Sequence, residues 1–268
     1  MISINTNYGS MFASKSAGTA QKSMNTAMER LSSGLRINNA KDDAAGQGIA
    51  TRLSAEIKSL DVASRNASDA QAMIDTTEAA HQEVHSMLLR MREVAVQAAN
   101  DTLTSADRTA LNSEVSALEK EITAIAKNTT FGGISLGVSN VKVFQIGVAK
   151  GATLTHTFAN FNVSTIGADV AVDTLTNAQN ALETIDGAIS TISTKRGTLG
   201  ALSNRLSSTI ANLDNIAVNL SSARGRIQDT DFAQETSNLA KSQIMQQAAT
   251  AMLAQANASK QTVLALIQ

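Results

Sequence analysis

Histidines and acidic residues are the side chains in this sequence whose spacing could support chemistry. His81 and His85 are four residues apart, so a helix would place both imidazoles on one face, where they can bind a metal ion. No carboxylate pattern completes a metal site, apart from Glu78 and Glu83 nearby. We therefore interpret His81, which lies on an apolar stripe, as a packed or interfacial histidine, and we expect His156 at the surface of a strand. The sequence predicts no metal and no cofactor.

Two acidic pairs could in principle act as the acid and base of a glycoside hydrolase, namely Asp42 with Asp43 and Asp229 with Asp231. Each pair lies beside a break in a helical pattern and before a new helix, where carboxylates cap the backbone and complement the helix dipole. The chain has no cysteine, no glycine-rich phosphate loop after a strand and no nucleophile elbow. We predict that it is not an enzyme.

The composition favours helix pairing. Aromatic residues make up 3% of the 268 residues, and there is neither tryptophan nor proline, so the apolar surface is mostly Ala, Leu, Ile, Val and Met. Such side chains suit narrow seams between helices. The net charge of -1 argues against nucleic-acid binding, and no apolar run is long enough to span a membrane. The first seven residues lack the features of a Sec signal peptide.

The chain ends in a weakly charged amphipathic stretch at residues 229–268, whose apolar residues recur at helical spacing. This stripe needs a partner helix, either residues 11–33 of the same chain or a helix of another copy. Gly34 is expected to end the first helix. The residues predicted to pack in this terminal pairing, within the chain or between subunits, are Met24, Met28, Leu31, Leu35, Phe232, Leu239, Met245, Met252, Leu253 and Leu264.

Between the terminal segments, periodicity predicts helices at 44–100, 104–127 and 177–225. The last has hydrophobic residues at strict seven-residue spacing from Ile185 to Ile227, typical of a coiled coil. The region 128–176 is rich in Gly, Val, Phe and Thr and predicts a β-hairpin, with strands at 141–146 and 154–158.

Three polar residues occupy seam positions of the return helix, where polar side chains set the register of a coiled coil. These are Arg196, Ser203 and Arg224, and we expect acidic partners, with Glu56 and Asp75 as candidates. The fold class is therefore mainly α: a long antiparallel coiled-coil or helical-bundle rod with a small β-hairpin insert and paired N- and C-terminal helices. The predicted domains are 1–43, 44–225 and 226–268, with a return break at Gly225.

Several ordered motifs resemble those of bacterial flagellins. Segments 31–38 and 40–46 resemble the family's N-terminal signature, and 88–97 resembles its first-rod motif. Segment 144–147, Phe-Gln-Ile-Gly, matches the hairpin motif, whereas 226–232 and 254–257 resemble the C-terminal signature. The resemblance covers the chain outside roughly 150–177.

The resemblance implies a subunit of the extracellular flagellar filament, with residues 1–43 and 226–268 in an inner helical tube and the rod outside it. About thirty residues separate the hairpin motif from the return helix, which implies a core-only form without further outer domains. The family's partners would be other copies of the chain, the type III export apparatus with its chaperone, the filament cap and the hook-junction proteins. The N-terminus would be the export-targeting segment.

The resemblance also implies rod contacts, and a surface for the innate receptor toll-like receptor five, at Leu89, Arg90, Val94 and Glu114. The family often has Gln at the position of Leu89 and Leu at that of Val94, so this chain departs from the pattern at the surface in question. Two other functions remain alternatives: a hook-filament junction protein, which shares the terminal motifs, and a secreted membrane-active helical protein.

Overall fold

Helices form most of the chain. A computed structural model describes residues 6–265, with side chains up to residue 262. The helices within that range are α1 (Tyr8–Ser33), α2 (Ala44–Ala98), α3 (Ser105–Asn128), α4 (Val163–Ile166), α5 (Leu175–Gln228) and α6 (Phe232–Ala265). The predicted mainly α class is confirmed, and the predicted ends of the three central helices agree with the structure to within a few residues.

Two antiparallel hairpins lie between α3 and α4. The predicted hairpin is present as β3 (Asn140–Gln145) and β4 (Thr153–Phe158), with Phe144 opposite Leu154. A shorter hairpin, β1 (Thr130–Phe131) and β2 (Ile134–Ser135), was not predicted, and neither was α4. The first hairpin turns at Gly132 and Gly133, whose positive φ angles are costly for other residues.

The chain divides into two compact units. The terminal unit comprises residues up to Ile57 and from Asn219 onward, and the central unit is Lys58–Val218. These limits differ from the predicted domain limits at 43/44 and 225/226. The predicted division into inner tube and outer rod stays a prediction, because the compactness of one chain does not show which residues neighbouring subunits cover.

Helices α2 and α5 run antiparallel through the central unit. Along the pair, the residue numbers of the contacts rise on α2 while they fall on α5, so the two helices are antiparallel. The contacting pairs are Ser64 with Asp214, Gln71 with Ser203, Glu78 with Arg196, and Arg92 with Asp186.

The core of the central unit is built on the predicted seven-residue repeat of α5. Ile185, Ile192, Leu199, Leu206 and Leu213 are all buried. One cluster joins the first two of these to α3 and to the later part of α2, and the other joins Leu199 and Leu206 to the hairpins. The hairpins therefore cover part of the α2–α5 pair that α3 does not reach.

The return break lies later than predicted. Helix α5 continues through Gly225 and ends at Gln228, because a helical hydrogen bond from Asp229 N–H to the Gly225 carbonyl is made. Backbone hydrogen bonds then join the two breaks of the terminal unit: Arg36 N–H donates to the Gln228 carbonyl at 2.7 Å, and Thr230 N–H donates to the Gly34 carbonyl at 3.0 Å. Gly34 ends α1 in the left-handed conformation, with φ 74°, as predicted.

Candidate functional site

The terminal unit pairs α1 with α6 through small residues. The buried positions of α1 are Ala13, Ala20 and Ala27, which recur every seven residues. Those of α6 also recur at seven: Glu235, Ser242 and Ala249. A β-carbon built on Gly9 would lie 3.4 Å from the Cβ of Ala256, the next residue in this series. Small side chains let the two backbones approach closely, which is why this seam can form without large hydrophobic residues.

Polar contacts set the register of the terminal pair. Asn7 caps α1 by accepting the Ser10 N–H, and its side-chain amide donates to the Ala256 carbonyl at 3.0 Å. Gln246 donates to the Gln21 side chain. These contacts join low numbers on α1 to high numbers on α6, so the pair is antiparallel.

The other end of this pair holds a mostly buried carboxylate. Glu235 lies 3.8 Å from the Arg30 guanidinium, and its side chain is 8% exposed. Both partners lie in the terminal unit, where the ion pair neutralises the one acidic side chain of the seam.

Large apolar residues of the terminal unit lie on its outer surface. Tyr8 is 72% exposed and Phe12 is 70% exposed, and Met11 and Ile244 are similarly exposed. Of the residues predicted to pack here, Met28, Phe232, Met245 and Met252 are exposed, whereas Met24, Leu31, Leu35, Leu239 and Leu253 are half-buried. The side chain of Leu264 lies outside the described residues.

The predicted stripe therefore does not supply the fully buried positions of the seam within the chain. Small residues occupy most of those positions, whereas Met28, Phe232, Met245 and Met252 are exposed and available to other molecules. Large apolar side chains exposed in such number on one unit indicate an interaction surface.

The polar seam residues of α5 have partners other than those predicted. Arg196 donates two hydrogen bonds to Glu78 Oε1, at 2.9 and 2.7 Å, so its acidic partner is Glu78 and neither Glu56 nor Asp75. The other two partners are neutral. Ser203 accepts a hydrogen bond from Gln71, and Arg224 contacts the Ser54 hydroxyl at 3.3 Å within the terminal unit.

The predicted contact surface on α2 is divided by burial. Arg90 donates to Glu114 of α3 at 2.9 Å and also pairs with Glu93, and these hydrogen bonds raise the pKa of Arg90. Leu89 is 44% exposed. Val94 is instead buried in the core, because it faces α3 and α5, so it does not share the surface of the other three residues.

The residues considered for chemistry have structural roles. Asp43 caps α2 by accepting the Gly46 N–H at 2.9 Å, and Asp231 caps α6 by accepting the Ala233 N–H at 2.9 Å. Asp42 accepts the Asn39 and Asn38 N–H groups, which lowers the pKa of its carboxyl.

The histidines differ from one another in burial. His81 is buried, with its ring packed edge-to-face on Phe161 at a centroid distance of 4.6 Å. Burial is the main reason that the pKa of His81 is lowered to about 4, and the charge of Lys195 lowers it further. His156 is half-buried against Phe158, so the prediction that it lies at the surface is wrong.

Neither a metal-binding cluster of His, Cys, Asp and Glu residues nor a helix long and apolar enough to cross a membrane occurs within the described part of the chain.

The small-residue seam of the terminal unit was not predicted from the sequence, because the prediction rested on the large apolar side chains. Its signal was present as the strict spacing of Ala13, Ala20 and Ala27, but Ala is common in every helix and does not distinguish a seam from a surface. The capping box of α3, in which Thr104 and Asp107 exchange hydrogen bonds, was also readable from sequence and was missed.

These features define a class: a helical structural subunit whose termini pair with each other and leave large apolar side chains exposed. Two family models match the chain, one for the bacterial flagellin N-terminal helical region at residues 4–137 and one for the C-terminal helical region at 182–267.

Whole-length relatives agree with the family models. A flagellin of Halalkalibacterium halodurans is 42% identical over 99% of both chains. Flagellin A of Vibrio cholerae is 33% identical and aligned over all of both chains, in an alignment of 377 positions. The 268-residue chain lacks residues at many of those positions, as a short core-only form would.

Solved structures extend the comparison to the fold. Bacillus cereus flagellin matches with a TM-score of 0.53 and 30% identity, over 60% of this chain and 94% of that one. A chain described as a flagellar hook-associated protein of Vibrio parahaemolyticus matches with a TM-score of 0.60 over 70% of this chain, but its 16% identity supports similarity of fold alone. The chain belongs to the bacterial flagellin family.

Proposed function

We propose that this protein is a structural subunit that polymerises into the bacterial flagellar filament outside the cell. The single observation that carries the proposal, beside family membership, is the apolar surface that the terminal unit leaves exposed, formed by Tyr8, Met11, Phe12, Ile244 and Met252. Burying one such side chain contributes about 1.5–3 kcal/mol, so several together can drive association.

The mechanism is coupled folding and assembly. The seam between α1 and α6 buries mainly Ala, together with Ser242 and Glu235, and such side chains bury too little apolar area to offset the entropy of ordering two long helices. The terminal helices therefore gain their stability when neighbouring subunits cover the exposed side chains. In the filament they would form the inner tube, with the central helices outside it.

Subunit addition is heterologous. The apolar face of one terminal unit meets a different face of the next subunit, so the contact does not close and a helical polymer grows. The type III export apparatus with its chaperone would deliver the chain, and the cap and hook-junction proteins would bound the filament. The N-terminus, which we predict to be the targeting segment, begins with residues 1–5, and these lie outside the described residues.

Neither alternative function is favoured. A hook-filament junction protein would share the fold, but the two relatives described above, which align with 99% and 100% of this chain, are flagellins. A membrane-active protein would bind lipid as a monomer, so sedimentation with liposomes distinguishes that function from polymerisation.

Recognition by toll-like receptor five stays a prediction, now with three surface residues in place of four. Toll-like receptor five would contact Leu89, Arg90 and Glu114, with Val94 supporting the helix from inside. Binding of monomer to the receptor ectodomain, compared with Arg90→Ala, tests this surface separately from assembly.

The test of assembly is polymerisation of heat-dissociated protein, followed by sedimentation and electron microscopy. We expect filaments from the full chain and none from chains lacking residues 1–40 or 229–268. A finer variant is Phe12→Gln, which should raise the critical concentration about 10- to 150-fold, because one apolar contact of about 1.5–3 kcal/mol is lost per subunit.

The matched control is Val148→Gln, an exposed apolar residue of the central unit. An equal loss of assembly in Val148→Gln and Phe12→Gln would show that the terminal unit is not the main contact. Polymerisation of either truncated chain would contradict the paired-terminus mechanism.

A further inference from the structure

A small cavity in the central unit lies between α2, α5 and β4. Its volume is about 100 Å³. Water occupies about 30 Å³ per molecule in the liquid, so the space is enough for roughly three waters or for one ion with several oxygen atoms. The polar and charged residues on its wall are Thr77, His81, His156, Thr157, Lys195 and Thr198.

His81 is the polar group of this cavity that most needs a partner. It is 3% exposed, and neither ring nitrogen has a hydrogen-bond partner among the described protein atoms. A neutral imidazole carries one N–H donor and one acceptor, and leaving both unpaired in the interior costs free energy. Buried polar groups without protein partners are places where a water or an ion binds.

Lys195 supplies a positive charge that no acid neutralises. Its ammonium donates to the Asn160 carbonyl at 2.8 Å, and no carboxylate pairs with it among the described residues. The neighbouring Arg196 differs, because Glu78 holds it at 2.7 Å. Burial lowers the pKa of Lys195, as expected for an ammonium without a counter-ion.

We propose that this cavity binds a small oxyanion, of the phosphate or sulfate class, between the His81 imidazole and the Lys195 ammonium. One anion would accept hydrogen bonds from both groups, and charge-assisted bonds of this kind are the stronger type. Two of the three threonines on the wall already donate their hydroxyl groups: Thr77 to the Met73 carbonyl and Thr198 to the Thr194 carbonyl. They therefore shape the wall and do not compete with His81 and Lys195 for the anion.

Binding is linked to protonation of His81. The charged and titratable groups around its ring are Lys195 and Arg196 on α5, Glu78 on α2 and His156 on β4. Burial and the two cations lower the pKa of His81 to about 4, against the opposite effect of Glu78. A bound anion favours the imidazolium and so raises the pKa of His81, and by reciprocity the anion binds more tightly as pH falls from neutrality toward that pKa.

The test uses the full-length chain under conditions where it stays monomeric. Inorganic phosphate is titrated at constant ionic strength against chloride, and the ring carbon and nitrogen signals of His81 are followed by NMR. We expect saturable shifts of these signals, a higher titration midpoint for His81 with phosphate bound, and the same response to sulfate. Lys195→Met keeps the apolar stem of the side chain and should weaken phosphate binding about tenfold or more.

The matched control is Lys127→Met, which removes the same charge from an exposed position at the end of α3 and should leave phosphate affinity unchanged. Equal losses in Lys127→Met and Lys195→Met would overturn the assignment, because binding would then follow net charge. Unchanged His81 signals in the wild-type chain at every phosphate and sulfate concentration would show that the cavity holds water alone. The wild-type measurement decides the question even if Lys195→Met fails to fold.

Discussion

The terminal helix pair (α1 and α6) and the central helix pair (α2 and α5) have the same antiparallel arrangement and the same sequence repeat. They differ in the size of the residues that they bury. Both are antiparallel, and both bury a position every seven residues. The central pair buries Ile192, Leu199 and Leu206, whereas the terminal pair buries Ala13, Ala20 and Ala27. Cα atoms of α1 and α6 approach within 8 Å along the pair, as the small size of their buried residues allows.

The difference indicates which contacts each pair relies on. Large seam residues bury enough apolar surface for the central pair to be stable within one chain. Small seam residues allow a close pair that buries little area, and the large residues of the same helices then face outward. We therefore expect the central unit to be stable in the monomer and the terminal unit to gain its stability in the polymer.

The largest expected effect is a cavity in the central seam. Leu206→Ala should lower the free energy of unfolding of the central unit by about 2–5 kcal/mol, because Leu206 is fully buried. Urea unfolding followed by circular dichroism measures the loss. Met252→Ala, at a residue that is 51% exposed, should leave monomer stability nearly unchanged and weaken the filament instead. A similar loss of unfolding free energy in both monomeric variants would contradict the distinction between the two units.

Acid should destabilise the central unit through His81. Because burial lowers its folded-state pKa from 6.5 to about 4, the folded chain binds fewer protons than the unfolded chain between those values. Stability is therefore lost as pH falls through this range, by about 3 kcal/mol at full extent.

The control for this pH effect is His81→Leu, which cannot be protonated and should lack this part of the pH dependence. Urea unfolding of both chains between pH 7 and 4, in chloride buffer without oxyanions, measures the difference. Parallel stability curves for the two chains would show that another group causes the acid sensitivity.

Enlarging the terminal seam tests the close approach directly. Ala20→Leu should destabilise the α1–α6 pair by about 1–3 kcal/mol, because Ala20 has no exposed surface and the backbones cannot separate without losing their polar contacts. The melting temperature of the filament should fall, while the unfolding of the central unit stays the same. Ala20→Ser keeps the small volume and should assemble normally. Assembly of Ala20→Leu at the wild-type concentration would refute a tight seam.

The smallest expected effect is at the polar seam of α5. The Arg196 and Glu78 side chains are about one-third exposed, so water screens their attraction. Arg196→Met should therefore cost no more than about 1 kcal/mol. A double-mutant cycle with Glu78→Gln isolates the coupling, which should weaken as salt is added. A much larger, salt-independent loss would mean that Arg196 acts by packing.

Periodicity predicted the central unit well, because its seam residues are the large apolar ones that define a stripe. The repeat from Ile185 onward, the hairpin and the helix limits all followed from the sequence. Prediction failed where the buried residue was not the most apolar one. In α6 the apolar pattern predicts packing by Met245, Met252 and Leu253. The buried residues are instead Glu235, Ser242 and Ala249. In a polymerising chain, apolar residues report the surfaces buried in the polymer, and one chain shows only part of them.

Partner choice in the seam was also beyond the sequence. The repeat predicted that Arg196 lies at a seam position, and this is what the structure shows. Asp75 and Glu78 are about one helical turn apart on α2, so the sequence could not decide which of them Arg196 contacts without the register of the packed helices. The same holds for Val94, whose neighbours Leu89 and Arg90 are exposed while it faces the core.

The hydrogen bond from Asn7 to the Ala256 carbonyl joins residues 249 positions apart, which has a consequence for the order of folding. A chain that is synthesised or threaded through a narrow channel from either end cannot make this contact until nearly all of it has emerged. Closing so long a loop at once would be entropically unfavourable, whereas the contacts of Arg36 with Gln228 first bring the ends close. We expect the α1–α6 pair to form last. Its contacts would form in order, starting beside the bond between Arg36 and Gln228 and ending at Asn7.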